Sequence, residues 1–213
     1  MAAADWRDGV ARLGGLLSAL SMRDRSGNEL PADTGYALWR DAIVLLRRAR
    51  RTIFLIGNGA SASMASHMAA DLAKNARVHT QCFTDLALLT AISNDMGYEW
   101  VFAEPLRRQA RRGDMLVAVS SSGASANVTA ACDVAAELGL TVVTLSAMSP
   151  ENPLRAKGQL NAYVPAATYG EAETCHAAIL HHMMDLVENR TTPLGPGERE
   201  DVDANAHLIG ARP

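Results

Sequence analysis

Four serine hydroxyl groups cluster in the middle of the chain, within the segment VAVSSSGASANV at residues 117–128. Ser120, Ser121, Ser122 and Ser125 follow an apolar run and precede a helical pattern. The first turn of a helix offers backbone N–H groups without partners in the helix, and hydroxyl groups beside them suit an anion such as a phosphate monoester. A single serine is enough to cap a helix. Four hydroxyl groups therefore favour an anion-binding site over a simple cap.

A second loop of small residues follows an earlier apolar run, in FLIGNGASAS at residues 54–63. Gly57, Gly59 and Ala62 match a relaxed dinucleotide fingerprint, G-x-G-x-x-A, and Asp85 lies about as far downstream as a ribose-binding acid would. This fingerprint is short, and a dinucleotide site does not require a second, serine-rich loop. Neither loop carries the Gly-Lys-Ser/Thr sequence of a nucleotide triphosphate site. Together the two loops favour a sugar phosphate as the ligand.

Short apolar runs alternate with helical patterns from residue 52 onward. The predicted strands are TIFLIG, VHTQCF, MLVAVS, TVVTLSA and LNAYVP, and the predicted helices are 61–75, 85–93, 98–112, 125–138 and 171–189. This alternation predicts an α/β fold, a doubly wound, flavodoxin-like parallel sheet with helices on both faces. In such a sheet ligands bind beyond the carboxyl ends of the strands, which is where both loops fall.

The chain divides into three parts. Residues 1–38 predict an N-terminal helical lead-in, with an amphipathic helix over 5–22 and a polar break, RDRSGNELPAD, before the next helical stretch. Residues 39–189 carry the α/β pattern. The tail, 190–213, is rich in proline, glycine and charge, and we expect it to be loose or to pack on a neighbour.

Composition limits the class of protein and its location. The chain of 213 residues is 48% hydrophobic and 20% charged, which is typical of a globular protein, and its net charge of −3 predicts no nucleic-acid binding. Cys82, Cys132 and Cys175 are odd in number and far apart, so we expect free thiols in a reducing compartment. The first residues do not resemble a signal peptide, and no apolar run is long enough for a membrane span. We therefore expect a cytoplasmic protein without membrane contact.

The loops GNGAS and SSSGAS, with AISND between them, together resemble the sugar isomerase (SIS) domain, and specifically the bacterial phosphoheptose isomerases. The similarity runs from about Trp39 to Asn189, most of the chain. It implies conversion of sedoheptulose 7-phosphate into D-glycero-D-manno-heptose 7-phosphate or a closely related sugar phosphate. It also implies a homotetramer whose active sites are built between subunits.

The resemblance assigns site residues one at a time. The family's substrate contacts fall on Asn58, Gly59, Ala60, Ser61, Asn94, Asp95, Ser120, Ser121, Ser122, Ser125 and Glu173. A family histidine, and the glutamate that acts as a base four residues later, fall on His67 and Asp71. On the last predicted helix, the family's glutamine and its final histidine fall on Glu173 and His181, if one residue is inserted just upstream.

Exchange between an aldose and a ketose moves a proton between neighbouring carbons through an enediolate. It needs a base above the carbon and an electrophilic group at the carbonyl oxygen, and Asp71 and His181 are the candidates for these two tasks. His67 and Asp71 share one helix face, and Glu173 and His181 lie within about a quarter turn of each other. Two histidines and two carboxylates suit zinc, and the resemblance raises the expectation that His67, Asp71, Glu173 and His181 bind it.

Two departures from the family keep alternatives open, because Asp71 replaces a glutamate and Glu173 replaces a glutamine. The shorter acid fits either the usual substrate or a different one, such as an eight-carbon ketose phosphate of a specialised pathway. A second alternative is a non-catalytic relative that binds a partner, as the family member that engages the replication initiator DnaA does. That branch lacks the paired acid and terminal histidine, so Asp71 and His181 favour catalysis.

Two further histidines lie on the last predicted helix, and neither is assigned a role in the reaction. His182 must point about 100° away from His181 around the helix, so we expect it to face solvent or an interface. His176 lies between the two assigned positions. The methionines that follow His182 are expected in the core.

Overall fold

A seven-stranded sheet organises the residues that this computed structural model describes, which are 5–188, 205 and 208–210. The strands are β1 (Ser21–Asp24), β2 (Glu29–Leu30), β3 (Thr52–Gly57), β4 (His79–Cys82), β5 (Met115–Ser120), β6 (Thr141–Ser146) and β7 (Leu160–Tyr163). The helices are α1 (Trp6–Ser18), α2 (Ala32–Arg48), α3 (Ala60–Lys74), α4 (Leu86–Asp95), α5 (Ala103–Gln109), α6 (Ala126–Leu138) and α7 (Tyr169–Glu188). Short 3₁₀ turns lie at Tyr98–Trp100 and Pro153–Ala156.

The strand order is β2-β1-β7-β6-β5-β3-β4, and β7, β6, β5, β3 and β4 are all parallel. This confirms the predicted doubly wound α/β fold. The chain goes from β3 to β4 on one side and then to β5 on the other side of β3, so the order reverses between β3 and β5. That reversal opens a crevice at the carboxyl ends of the two strands, and Gly57 lies opposite Val119 there. Both small-residue loops leave the sheet at this crevice.

Helices cover both faces of the sheet, which explains why the strands are continuous apolar runs. Along β3, Ile53 and Leu55 pack toward α1, α2, α3 and α7, whereas Phe54 and Ile56 pack toward α4, α5 and α6. The alternation is that of a strand buried on both faces. No described helix combines the length and the apolar composition that a bilayer crossing requires.

The N-terminal lead-in is not entirely helical, contrary to the prediction. The helix predicted over 5–22 ends at Ser18, and the polar break contains the hairpin of β1 and β2, whose turn includes Gly27 with φ 84°. β1 pairs antiparallel with β7, so the sheet is mixed rather than purely parallel. Strands of four and two residues are too short to show the alternation of apolar and polar residues that identifies a strand. The polar residues between them predict a break in the chain and do not by themselves predict a hairpin.

Other boundaries differ in smaller ways. The helix predicted over 98–112 is divided into the 3₁₀ turn at Tyr98–Trp100 and the short helix α5. Helix α2 continues across the predicted division between residues 38 and 39. Most of the predicted tail lies outside the described residues, but its Asn205 donates from Nδ2 to Oδ2 of the buried Asp41 at 2.7 Å, and Ile209 is buried.

Candidate functional site

The serine loop forms a cavity of about 150 Å³ at the crevice between β3 and β5, here called the serine cavity. Its lining residues are Asn58, Ser61, Val119, Ser120, Ser121, Ser122, Ser125, Tyr169 and Glu173. The structure thus brings together seven of the residues assigned to the substrate. Val119 and the exposed Tyr169 were missed, because neither residue type is distinctive for an anion site.

The hydroxyl groups of Ser120 and Ser125 face each other, and Ser125 does not cap α6. Ser125 occupies the N-cap position, but its side chain makes no capping bond and its Oγ lies 3.1 Å from Oγ of Ser120. Oγ of Ser121 is buried without a hydrogen-bond partner among the described residues. An unpaired buried hydroxyl costs about 1–3 kcal/mol, and an anionic oxygen would satisfy it. The arrangement therefore suits an oxyanion ligand, aided by the positive end of the α6 dipole.

Gly123 fixes the path of the serine loop. Its φ of 63° lies in the left-handed region, and a Cβ atom there would come within 2.0 Å of Oδ1 of Asn152. Asn152 is buried, donates from Nδ2 to Ser146 Oγ at 3.1 Å and accepts at Oδ1 from the Arg155 N–H at 3.1 Å. The carbonyl of Gly123 also accepts from the Leu154 N–H at 2.9 Å. The loop is thus held by the following segment before any ligand binds.

The first loop is joined to the serine loop by a pair of amides, Asn58 and Asn127, here called the amide pair. Each side chain donates from Nδ2 to the other's Oδ1 at 2.9 Å, and the Tyr98 hydroxyl also donates to Oδ1 of Asn58 at 3.0 Å. Gly59, with φ 55° and ψ −124°, turns the chain into α3. No local pattern predicts a role for Asn127 or Tyr98, because both residues reach Asn58 only in the folded chain.

Not every residue assigned to the substrate reaches the serine cavity. Gly59 lines a neighbouring, largely apolar cavity of about 170 Å³, and Ala60 is exposed at the start of α3. Asn94 and Asp95 are exposed at the end of α4, where Asn94 Nδ2 donates to Asp95 Oδ1 at 2.8 Å. Asp85, the acid that the dinucleotide alternative required, caps α4 by accepting from the Leu88 N–H at 2.8 Å. That geometry weakens the dinucleotide alternative.

His67, Asp71 and His181 form a second group, here called the histidine–aspartate cluster. His67 and Asp71 are one turn apart on α3, and Nε2 of His67 lies 3.3 Å from Oδ2 of Asp71. Helix α7 packs against α3 and brings the ring of His181 to 5.3 Å from that of His67, between centroids. One ligand atom from each residue lies within 4.8 Å of the others, so the cluster can hold a metal ion with three protein ligands and an open position.

Glu173, predicted as a fourth ligand, does not join this cluster within the chain and lines the serine cavity instead. The physical reason is the rise of the helix. Eight residues separate Glu173 from His181, so the two side chains share a face of α7 but start about 12 Å apart along its axis. The angle of about a quarter turn between the two side chains is compatible with a shared metal site, but their distance along the helix axis is not.

His176 and His182, on the same helix, have opposite environments. His176 is fully buried, and burial lowers its pKa to about 4, opposed only by the nearby backbone of Ser146. His182 is exposed and its ring meets that of Tyr36 edge-on at 4.6 Å. Burial raises the pKa of Tyr36 to about 12. Met183 and Met184 are buried in the core, as expected.

Residues 40–147 match the family model of the SIS domain. The chain therefore belongs to the SIS domain family. Within it, the chain is 34% identical over 149 residues to a phosphoheptose isomerase of Streptomyces coelicolor, a match that covers 67% of this chain and 64% of that protein. It is also 34% identical over 158 residues to a phosphoheptose isomerase of Halorhodospira halophila, covering 70% of this chain and 79% of that protein.

Solved structures agree with this relationship. The phosphoheptose isomerase of Neisseria gonorrhoeae superposes with a TM-score of 0.67 at 29% identity, over 72% of this chain and 85% of that one. The phosphoheptose isomerase of Francisella tularensis gives a TM-score of 0.72 over 87% of this chain and 95% of that one. The second pair is only 20% identical and so supports the fold alone.

Proposed function

We propose that the protein is an aldose–ketose isomerase that converts sedoheptulose 7-phosphate into D-glycero-D-manno-heptose 7-phosphate. The similar proteins of Streptomyces coelicolor and Halorhodospira halophila are both named phosphoheptose isomerase. The observation that carries the proposal for this chain is that the fold brings Asp71 of α3 and His181 of α7 into one cluster, although 110 positions separate them in sequence. A binding protein without catalysis would not require an acid and an imidazole at this place.

The serine cavity supplies the binding half of the reaction. Its hydroxyl groups and the first turn of α6 would hold the phosphate of the sugar. Among the described residues that line it, only Glu173 carries an ionisable carboxylate, and none is a lysine or an arginine. Recognition therefore rests on hydrogen-bond donors, which select an oxyanion by geometry more than by net charge.

The histidine–aspartate cluster supplies the chemical half. Asp71 takes the proton from C1 of the ketose, holds it at a carboxylate oxygen and returns it to C2. His181 donates a proton to the carbonyl oxygen at C2 as the enediolate forms, and takes the hydroxyl proton from the oxygen at C1 as the aldose forms. Since aspartate is one methylene shorter than the family's glutamate, the cluster must lie closer to the substrate. The cluster's two imidazoles and one carboxylate fit zinc, which when bound would polarise the carbonyl group of the substrate.

Within one chain, the serine cavity and the histidine–aspartate cluster lie at different heights along the two helices that contribute to both. Ser61 and Asp71 are ten residues apart on α3, which is about 15 Å along the helix, and the spacing on α7 is about 12 Å. The serine cavity, at about 150 Å³, is also smaller than the roughly 300–1,000 Å³ of most small-molecule sites. We therefore propose that the active site is completed between copies of the chain in a homotetramer, where exposed Asn94 and Asp95 would also meet substrate.

We also place the enzyme in the cytoplasm. All three cysteines, Cys82, Cys132 and Cys175, are free thiols, and the last two are buried. Free thiols in every position fit a reducing compartment.

The direct test is solvent exchange. The purified protein is mixed with sedoheptulose 7-phosphate in D₂O, with and without added zinc, and deuterium at C1 is followed by NMR. Exchange at C1 supports the proposal, and an eight-carbon ketose phosphate run in parallel shows which chain length is preferred. Binding of the sugar phosphate without exchange under either condition would overturn the enzymatic assignment in favour of a non-catalytic relative.

A further inference from the structure

Most hydrogen-bonding groups of the Asn58 side-chain amide already bond to other residues of the protein, although Asn58 lines the serine cavity. An amide oxygen has two lone pairs, and here one accepts from Asn127 Nδ2 at 2.9 Å and the other from the Tyr98 hydroxyl at 3.0 Å. One of the two N–H groups of Asn58 donates to Asn127 Oδ1 at 2.9 Å. A single N–H remains for a ligand.

This arrangement makes Asn58 a donor toward the cavity and removes it as an acceptor. An oxygen of the sugar or its phosphate can accept from the remaining N–H, whereas a hydroxyl proton of the ligand finds no free lone pair on this side chain. Without its partners, the amide could rotate and present either its oxygen or its nitrogen to the cavity.

Asn127 itself does not line the cavity. It is 2% exposed, occupies the first turn of α6 and lies 69 positions from Asn58 in sequence. Its reciprocal bonds cross from the helix behind the serine loop to the loop that follows β3. The amide pair is therefore the side-chain link between the two ligand loops.

We propose that Asn127 is a positioning residue, which with Tyr98 fixes the amide of Asn58 so that its free N–H donates to an oxygen of the bound sugar phosphate. This inference rests on the proposed function of the same cavity. It predicts that Asn127 influences substrate affinity only through Asn58 and has little influence on the proton transfer, which takes place at the histidine–aspartate cluster.

A double-substitution cycle tests this dependence. We expect Asn127→Ala and Asn58→Ala each to raise KM for sedoheptulose 7-phosphate by about tenfold, since about 1.4 kcal/mol corresponds to one oriented hydrogen bond. The kcat should change much less than KM in either variant. The double variant should match Asn58→Ala alone, because the positioning residue has nothing left to position. Effects of the two substitutions that multiply would overturn the proposal, since they would mean that Asn127 acts by supporting α6.

Tyr98→Phe provides a second cycle on an exposed residue whose loss does not threaten folding. It should raise KM by about two- to threefold, for the loss of one neutral hydrogen bond, and this effect should also vanish in the Asn58→Ala background. Asp133→Asn, on the exposed side of α6, is the control and should leave KM unchanged. If Asn127→Ala does not fold, the Tyr98 cycle decides alone, and an unchanged KM there overturns the proposal.

The outcome is separable from that of the proposed function. If the unsubstituted protein produces no exchange at C1, the proposed function fails before the cycle begins. If the unsubstituted protein is active, and the effects on KM in the two cycles are additive or absent, only the proposed role of Asn127 and Tyr98 is contradicted.

Discussion

The serine cavity and the histidine–aspartate cluster are held in different ways. Ser120 and Ser121 are each 5% exposed and lie at the end of the fully buried strand β5, in a loop that packs on Asn152 through Gly123. In the cluster, the side chain of His67 is 58% exposed and that of Asp71 20%, and His181 of α7 meets this pair of α3 residues through a contact between side-chain rings. The proposed binding region is thus preorganised, whereas the proposed reacting region is more exposed to solvent within one chain.

This difference bears on how the proposed tasks of phosphate binding and proton transfer are distributed over the two regions. Preorganised donors cost no rearrangement when a phosphate arrives, so we expect the cavity to bind the phosphate group of the proposed substrate within a single protomer. An acid and an imidazole in open solvent are weak catalysts, because water screens their electrostatic influence. In the proposed homotetramer, a second copy that covers the cluster would strengthen its electrostatic effect. Substitutions in the two regions should have separable consequences for affinity and rate.

The largest effect is expected in the cluster. Asp71→Asn removes the base, so kcat should fall by about 10²- to 10⁴-fold while affinity for the sugar phosphate changes by less than about threefold. Exchange at C1 measures the first quantity and calorimetric titration the second. Asp133→Asn, which breaks only an exposed ion pair with Lys157, is the matched control. Unchanged turnover in Asp71→Asn would remove this residue from the mechanism.

The next effect concerns α7, the helix that the two regions share. His176 has a pKa of about 4 when folded and about 6.5 when unfolded, so between these values the unfolded chain binds a proton that the folded chain does not. The free energy of unfolding should therefore fall as the pH drops through this window, by roughly 2 kcal/mol between about pH 7.5 and about pH 5.

Unfolding by urea at the two pH values measures this loss. The loss should be smaller in His176→Met, which retains an apolar side chain in the core, and unchanged in His182→Gln, which alters an exposed ring. An equal pH dependence in the protein and in His176→Met would show that other groups cause the loss of stability.

Rigidity of the serine loop can be tested at Gly123. Gly123→Ala forces a side chain into the left-handed region and against Asn152, so it should lower the free energy of unfolding by about 2 kcal/mol and weaken phosphate binding. Gly14→Ala in α1, where a Cβ atom would meet nothing within 4 Å, should leave stability unchanged or raise it by up to about 1 kcal/mol. Equal stability of the two variants would contradict the packing described for the loop.

The smallest effect separates affinity from stability. Ser121→Ala removes a buried hydroxyl that lacks a protein partner, so the free protein should be as stable as before or slightly more stable, by up to about 1 kcal/mol. Affinity for the sugar phosphate should fall by about tenfold, because that hydroxyl would bind a charged oxygen. Calorimetric titration and urea unfolding supply the two values, with Ser63→Ala on the exposed side of α3 as the control. Lower stability without loss of affinity would assign Ser121 a purely structural role.

The sequence was sufficient for the parts of the fold whose residues are buried on both sides. β3 and β5 are continuous apolar runs, and each is followed by small residues that begin a helix, so the strands and both loops could be predicted from local pattern. The hairpin of β1 and β2 could not, because its strands are short and depend on pairing with β7, which is far away in the chain.

The candidate site shows the same division. The serines could be predicted as site residues because several hydroxyl groups just before a helix are typical of an anion-binding site. Asn127 was not, since its partner Asn58 becomes its neighbour only through the parallel pairing of β3 and β5. The family resemblance and the angle around the helix group Glu173 with His181, and the axial rise of α7 separates them within one chain. What local sequence cannot supply is distance between elements.

The two borders of the sheet bear on how copies of the chain associate. One border is β2, only two residues long and containing Glu29, and the other is β4, four residues long. Such short edge strands offer few unpaired backbone N–H and C=O groups with which a strand of another molecule could pair. In the proposed homotetramer, we therefore expect copies to dock through helices and not through strand edges. Such docking would bring α3 and α7 of one molecule within reach of another and would leave no long strand edge open to fibril formation.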